Sequence, residues 1–163
     1  MWERTFVAGV IALLALVALT GTARAELVTK ADPEGVAEVP NVRRITLDNR
    51  QKTAVVRMRY EDLSQMDDET FFIDWGSETY YQVYLTEGAY GDYYSLYLYK
   101  DGGSTKKSCY IKFSGDVDEE SSGVRVPRSC LKKASDKIRA RGIAYADGGT
   151  QDETPFTPYA KRG

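Results

Sequence analysis

The chain has 163 residues, 22 lysines and arginines against 24 aspartates and glutamates, a formal net charge of −2 and no histidine. That length fits one domain with a real core, and the charge balance leaves no basic excess to displace counterions from nucleic acid. Without an imidazole there is no Ser-His-Asp or Cys-His arrangement and no His-ligated zinc or copper.

The first element is a short polar stretch with Arg4, an apolar run from Phe6 to Leu19, and the small-residue triplet Ala23, Arg24, Ala25. That order reads as a cleavable secretory signal over residues 1–25. The run is shorter than the roughly 20 apolar residues that span a bilayer, so the expected product is extracellular, begins at Glu26 and has no membrane attachment. Residues 26–40 carry Pro33, Gly35 and Pro40 without an apolar period and read as a flexible or extended lead-in. A single β domain is expected over 41–163.

From Asn41 the apolar residues recur with period two, the signature of strands. Val42–Leu47 is the first, with Ile45 and Leu47 in phase. Thr53–Tyr60 follows, alternating Val56, Met58 and Tyr60 with Val55, Arg57 and Arg59. The third carries Phe71, Ile73 and Trp75. The fourth, Tyr80–Thr86, sets Tyr81, Val83 and Leu85 against Tyr80, Gln82 and Tyr84. After a turn at 88–92, Tyr93–Lys100 sets Tyr94, Leu96 and Leu98 against Tyr93, Ser95, Tyr97 and Tyr99. A sixth strand is expected over Lys106–Phe113, with Cys109, Ile111 and Phe113 in phase and facing inward. A seventh spans Gly123–Val126 and stops at Pro127. A turn at 127–131 leads on to the eighth, Lys137–Ala146, where Gly142 predicts a bulge. The tail from 147 is rich in Gly, Thr and Pro and reads as loop, with Phe156 and Tyr159 packed on the domain.

About eight short strands and no amphipathic helix predict an all-β fold, an antiparallel β-sandwich or alternatively a closed β-barrel. Two cysteines in an exported chain read as one disulfide, Cys109 to Cys130, worth about 3 kcal/mol in the chain-entropy model.

The segments VRRITLDN, AVVRMRYEDL, C-x-I-x-F and V-P-R-S-C-L resemble those of a group of small exported bacterial proteins. The strand order and the element near Val126–Leu131 also look like sandwich domains of the DOMON and family 9 carbohydrate-binding-module type. That resemblance implies a sandwich that binds sugar or haem. With no histidine, only Met66 and the more distant Met58 remain as axial ligands, which disfavours haem.

Three constellations could carry chemistry. A glycoside hydrolase would need a carboxylate pair, and Asp67, Asp68, Glu69, Asp74, Asp92 and Asp101 are available without a spacing that selects two. Calcium could sit at Asp116, Asp118 and Glu120, although Ser121 stands where a calcium loop needs Gly; Asp147 and Asp152 bracket a second loop. No other cofactor is expected. The most distinctive feature is tyrosine: 12 in the chain, with Tyr80, Tyr84, Tyr93, Tyr97 and Tyr99 in phase on the non-core side of two adjacent strands. Such a face suits a glycan or another extracellular protein, and ordinary cross-strand aromatic pairing would produce the same pattern. The expectation is a secreted, non-catalytic binding module, with glycan as first ligand class and protein as the alternative.

Overall fold

The computed structural model describes residues 25–32, 41–63, 68–76, 78–86, 93–116, 118–146 and 149–163. Among them are twelve strands: β1 (Glu26–Ala31), β2 (Val42–Asn49), β3 (Thr53–Tyr60), β4 (Asp68–Asp74), β5 (Tyr80–Thr86), β6 (Tyr93–Lys100), β7 (Gly103–Lys107), β8 (Lys112–Phe113), β9 (Ser121–Pro127), β10 (Lys137–Tyr145), β11 (Gln151–Glu153) and β12 (Ala160–Lys161). They form two sheets, ordered β1-β2-β3-β9-β8 and β11-β10-β4-β5-β6-β7, with β12 paired to β10. Every pairing is antiparallel. The sheets pack face to face without closing into a barrel, so the fold is the sandwich.

The core lies where the period-two pattern puts it. Ile45, Leu47, Val56, Met58 and Val124 of the first sheet meet Phe71, Ile73, Tyr81, Val83 and Leu96 of the second, all essentially inaccessible to solvent. Each such side chain contributes roughly 1.5–3 kcal/mol when fully buried.

Four differences from the sequence reading have physical causes. The start of the lead-in is a strand: β1 pairs with β2 over its whole length, and as an exposed edge it needs no apolar alternation. The expected strand Lys106–Phe113 is two strands in different sheets, β7 beside β6 and β8 beside β9. Residues 108–111 cross between the sheets; Ile111 is buried there, whereas Phe113 is 53% exposed. Gly142 makes no bulge, because β10 pairs with β4 in unbroken register from Arg139 to Tyr145. A Cβ at 142 would instead lie 2.2 Å from Met58 Sδ across the sandwich, so the glycine permits close approach of the sheets. Finally, the tail is partly strand: β11 and β12 flank β10, and between them Thr154 N and Thr157 N donate to the carbonyls of Gly142 and Ala140. Phe156 lies beneath the Arg139 guanidinium, 4.1 Å from the ring centroid.

The turn after β9 carries Cys130 to Cys109, with a Cα–Cα distance of 6.1 Å. The bond therefore ties the crossover between the sheets to the end of a first-sheet strand.

Candidate functional site

β5 and β6 pair as Tyr80↔Tyr99, Gln82↔Tyr97 and Tyr84↔Ser95. Alternation sends Tyr81 into the core, where it is 1% exposed, and leaves Tyr80, Tyr84, Tyr97 and Tyr99 half-buried on the outer side, with Tyr93 47% exposed at one end. All five predicted tyrosines share this face. Tyr80 stacks on Tyr99 with ring centroids 5.0 Å apart and planes 6° from parallel. Tyr84 stacks diagonally on Tyr97, again at 5.0 Å, with planes at 17°.

The ladder continues sideways. Phe72 of β4 tilts against Tyr80 at 5.9 Å, and the Arg141 guanidinium lies 4.5 Å over Phe72. At the other margin the Lys106 ammonium sits 5.3 Å from the Tyr93 ring and 6.0 Å from the Tyr97 ring. Each ring of the two stacked pairs therefore has one face against another ring, and Tyr93 and Tyr97 lie beside a cation. The Tyr84 hydroxyl is pushed up to about 12, chiefly by its hydrogen bond with Tyr97 and then by burial. β7, next to this face, pairs with β6 alone among the described strands and is largely exposed.

Among the described residues the other predicted site residues do not assemble into one site; Asp68 accepts the Glu69 N–H at 2.7 Å. Asp67, Asp92, Met66 and Asp147 lie outside the described residues. Asp74 binds Arg139, N to O 3.0 Å, and Asp101 sits in the β6–β7 turn beside Lys100. Asp116 accepts the Asp118 N–H at 3.0 Å and so caps its own turn, whereas Glu120 accepts the Leu63 N–H at 2.7 Å and ties that turn to the segment after β3. Asp152 accepts the Val42 N–H at 2.8 Å. Among the described residues no three acidic or cysteine side chains converge as a metal site would require.

No protein-family model matches this chain, and no curated protein or solved structure matches it significantly. The site is read from its own geometry.

One feature escaped the sequence reading as a cluster. Glu69, 1% exposed, points between the sheets. It accepts hydrogen bonds from Tyr94 at 2.5 Å, from Tyr60 at 3.2 Å and from Ser122. Burial raises its carboxyl above the ordinary value, partly offset by the Ser122, Tyr94 and Tyr60 donors. Four strands from both sheets meet in this tie, which uses the carboxylate's acceptors structurally. Its signal was phase: Glu69 shares parity with Phe71 and Ile73, as Ser122 does with Val124 and Val126.

Proposed function

We propose that this chain is an exported, non-catalytic binding module whose contact surface is the outer face of β4–β7, and that the partner on that face is a protein. The stacked pairs Tyr80/Tyr99 and Tyr84/Tyr97 carry the reading. A sugar ring stacks on an open aromatic face, and these faces are turned to each other. What the surface offers is a row of hydroxyls and ring edges, held at low entropic cost and bordered by Arg141 and Lys106. That is the composition of protein interfaces, enriched in tyrosine and arginine. The exposed edge of β7 beside it suits an extended segment of the partner.

Two observations support export. The disulfide fits an oxidising compartment, and β1 starts at Glu26, the residue after the Ala23-Arg24-Ala25 triplet. Removal of residues 1–25 therefore leaves the first strand whole.

The test immobilises residues 26–163 and compares capture from a mixture of exported proteins with retention on a panel of neutral polysaccharides. The comparison variant changes Tyr80, Tyr84, Tyr97 and Tyr99 to Phe, which keeps the rings and removes the hydroxyls. Protein capture by the native chain that weakens at least about tenfold in this variant, at equal melting temperature, is the expected result. Retention of a neutral polysaccharide with no hydroxyl-dependent protein capture would return the face to glycan binding.

A further inference from the structure

On the opposite side of the sandwich, the outer face of the first sheet carries cations. Register places Arg44 across from Arg59, and Arg125 across from Lys112. Arg57 lies between these pairs on β3, facing Gly123 of β9. A Cβ at 123 would stand 2.2 Å from the Val56 carbonyl oxygen and 2.8 and 2.9 Å from Arg57 Cα and Cγ, so the glycine lets the β3 backbone, with the base of the arginine stem, lie close against β9. Arg57 Nε then donates to the Ser114 carbonyl at 2.6 Å. The result is a diagonal track over four strands, from Arg44 and Arg59 through Arg57 to Arg125 and Lys112.

The track ends in a groove of about 640 Å³ beside the disulfide. Lys112, Arg125 and Lys132 line it together with the hydroxyls of Ser108 and Ser129 and the Tyr110 ring, and no carboxylate is among its lining residues. Tyr110 is 76% exposed. The carboxylates nearest in register are engaged elsewhere: Asp48 by Arg50 and Glu61 by Arg43. Asp118 and Glu119, in the turn leading to Ser121, bound the track at the Arg59 end. Among the described residues none of the five track cations has an ion-pair partner.

We propose that this track and groove bind a linear acidic polysaccharide bearing uronate or sulfate groups, independently of the tyrosine face. Four of the five track cations are arginine, whose planar fork matches carboxylate and sulfate oxygens. The groove adds what a charged sugar needs besides charge: hydroxyl partners, and the exposed Tyr110 ring with the Lys112 ammonium 5.8 Å from its centroid, an aromatic and a cation side by side. Duplex DNA, with one charge per roughly 1.7 Å of axis, calls for denser cations than one or two per strand at a spacing of about 4.8 Å. A bilayer presents a plane, and the groove admits a chain.

The experiment measures binding of residues 26–163 to heparin, polygalacturonate, uncharged dextran, duplex DNA and phosphatidylglycerol vesicles. Affinity for an acidic polysaccharide should exceed that for the other three and fall steeply between about 50 and about 200 mM salt. The triple variant K112Q/R125Q/K132Q should bind at least about tenfold more weakly, while Tyr93→Ser binds as the native chain does. The salt dependence of the native chain is read without any variant and stands if the triple variant does not fold. No polysaccharide binding, binding indifferent to salt, equal binding by a folded triple variant, or tighter binding of DNA or vesicles would each overturn the proposal.

Discussion

On the outer face of β5 and β6 the side chains touch one another; on the outer face of β3 and β9 the cations have no ion-pair partners among the described residues. Tyr80 rests on Tyr99 and Tyr84 on Tyr97, so this face contributes to stability as it stands, at roughly 0.2–1 kcal/mol per cross-strand pair. Arg44, Arg57, Arg59, Arg125 and Lys112 form no ion pair among the described residues, and like charges set together repel. The first face has a sufficient explanation in folding, so recognition there must be tested with the rings kept in place. On the second, apart from the Arg57 bond to the Ser114 carbonyl and the Lys112 ammonium beside the Tyr110 ring, the cations have no such contacts among the described residues, and the proposed ligand would supply them.

The largest expected effect lies under the arginine face. Replacing Cys109 and Cys130 by Ser should cost on the order of 2–5 kcal/mol in denaturant unfolding, because the bond ties the crossover to the turn after β9 and closes the groove. The tyrosine rings are held by the pairing of β5 with β6 and not by that bond, and their signals in near-ultraviolet circular dichroism should persist below the new melting point.

Next comes the ladder itself. Tyr84→Ala with Tyr97→Ala removes one stacked pair and should cost about 1–3 kcal/mol. A loss below about 0.5 kcal/mol, the bound set for the arginine face, would erase the contrast between the two faces.

Between the two faces, Glu69 provides a check on the interior. Its carboxyl is raised above the ordinary 4.5 by burial, so the folded chain keeps a proton that the unfolded chain has released. Stability from this group is therefore greatest below about 4.5 and declines as pH rises through the folded value. Glu69→Gln should flatten that decline in melting temperature as pH rises above about 4.5. The hydroxyls of Tyr60 and Tyr94 are also raised, chiefly by burial and then by the nearby Glu69 charge. They add a second loss of stability as pH rises above about 10, where unfolded tyrosine ionises.

The smallest expected effect is on the arginine face. Arg125→Gln with Lys112→Gln should change unfolding free energy by no more than about 0.5 kcal/mol. A cost above about 1 kcal/mol would give these cations a folding role.

Much of this was legible in the chain. Alternation separated Tyr81 from Tyr80 and Tyr84 correctly because one side of β5 is core and a one-residue slip would bury the wrong set. The five-tyrosine face followed from phase alone. Stacking did not, since diagonal contact between Tyr84 and Tyr97 depends on register across strands. The crossover at 108–111 was hidden because Cys109, Ile111 and Phe113 keep period two while the backbone leaves one sheet for the other. Edge strands β1, β11 and β12 carry no apolar signal to read. Gly142 and Gly123 answer to the Met58 side chain and to the β3 backbone at Val56 and Arg57, partners distant in sequence. The arginine face was masked by a near-neutral total, since net charge says nothing about how 22 basic residues are distributed.

Hydroxyl-radical footprinting of residues 26–163 tests most directly the claim that the two faces serve different partners. It reads the exposure of individual tyrosine rings free, with the captured protein, and with an acidic polysaccharide. The protein should shield Tyr93, Tyr97 and Tyr99 and leave Tyr110 reactive, whereas the polysaccharide should shield Tyr110 and leave the other three unchanged. Both ligands shielding the same rings, or neither altering any, would contradict the account.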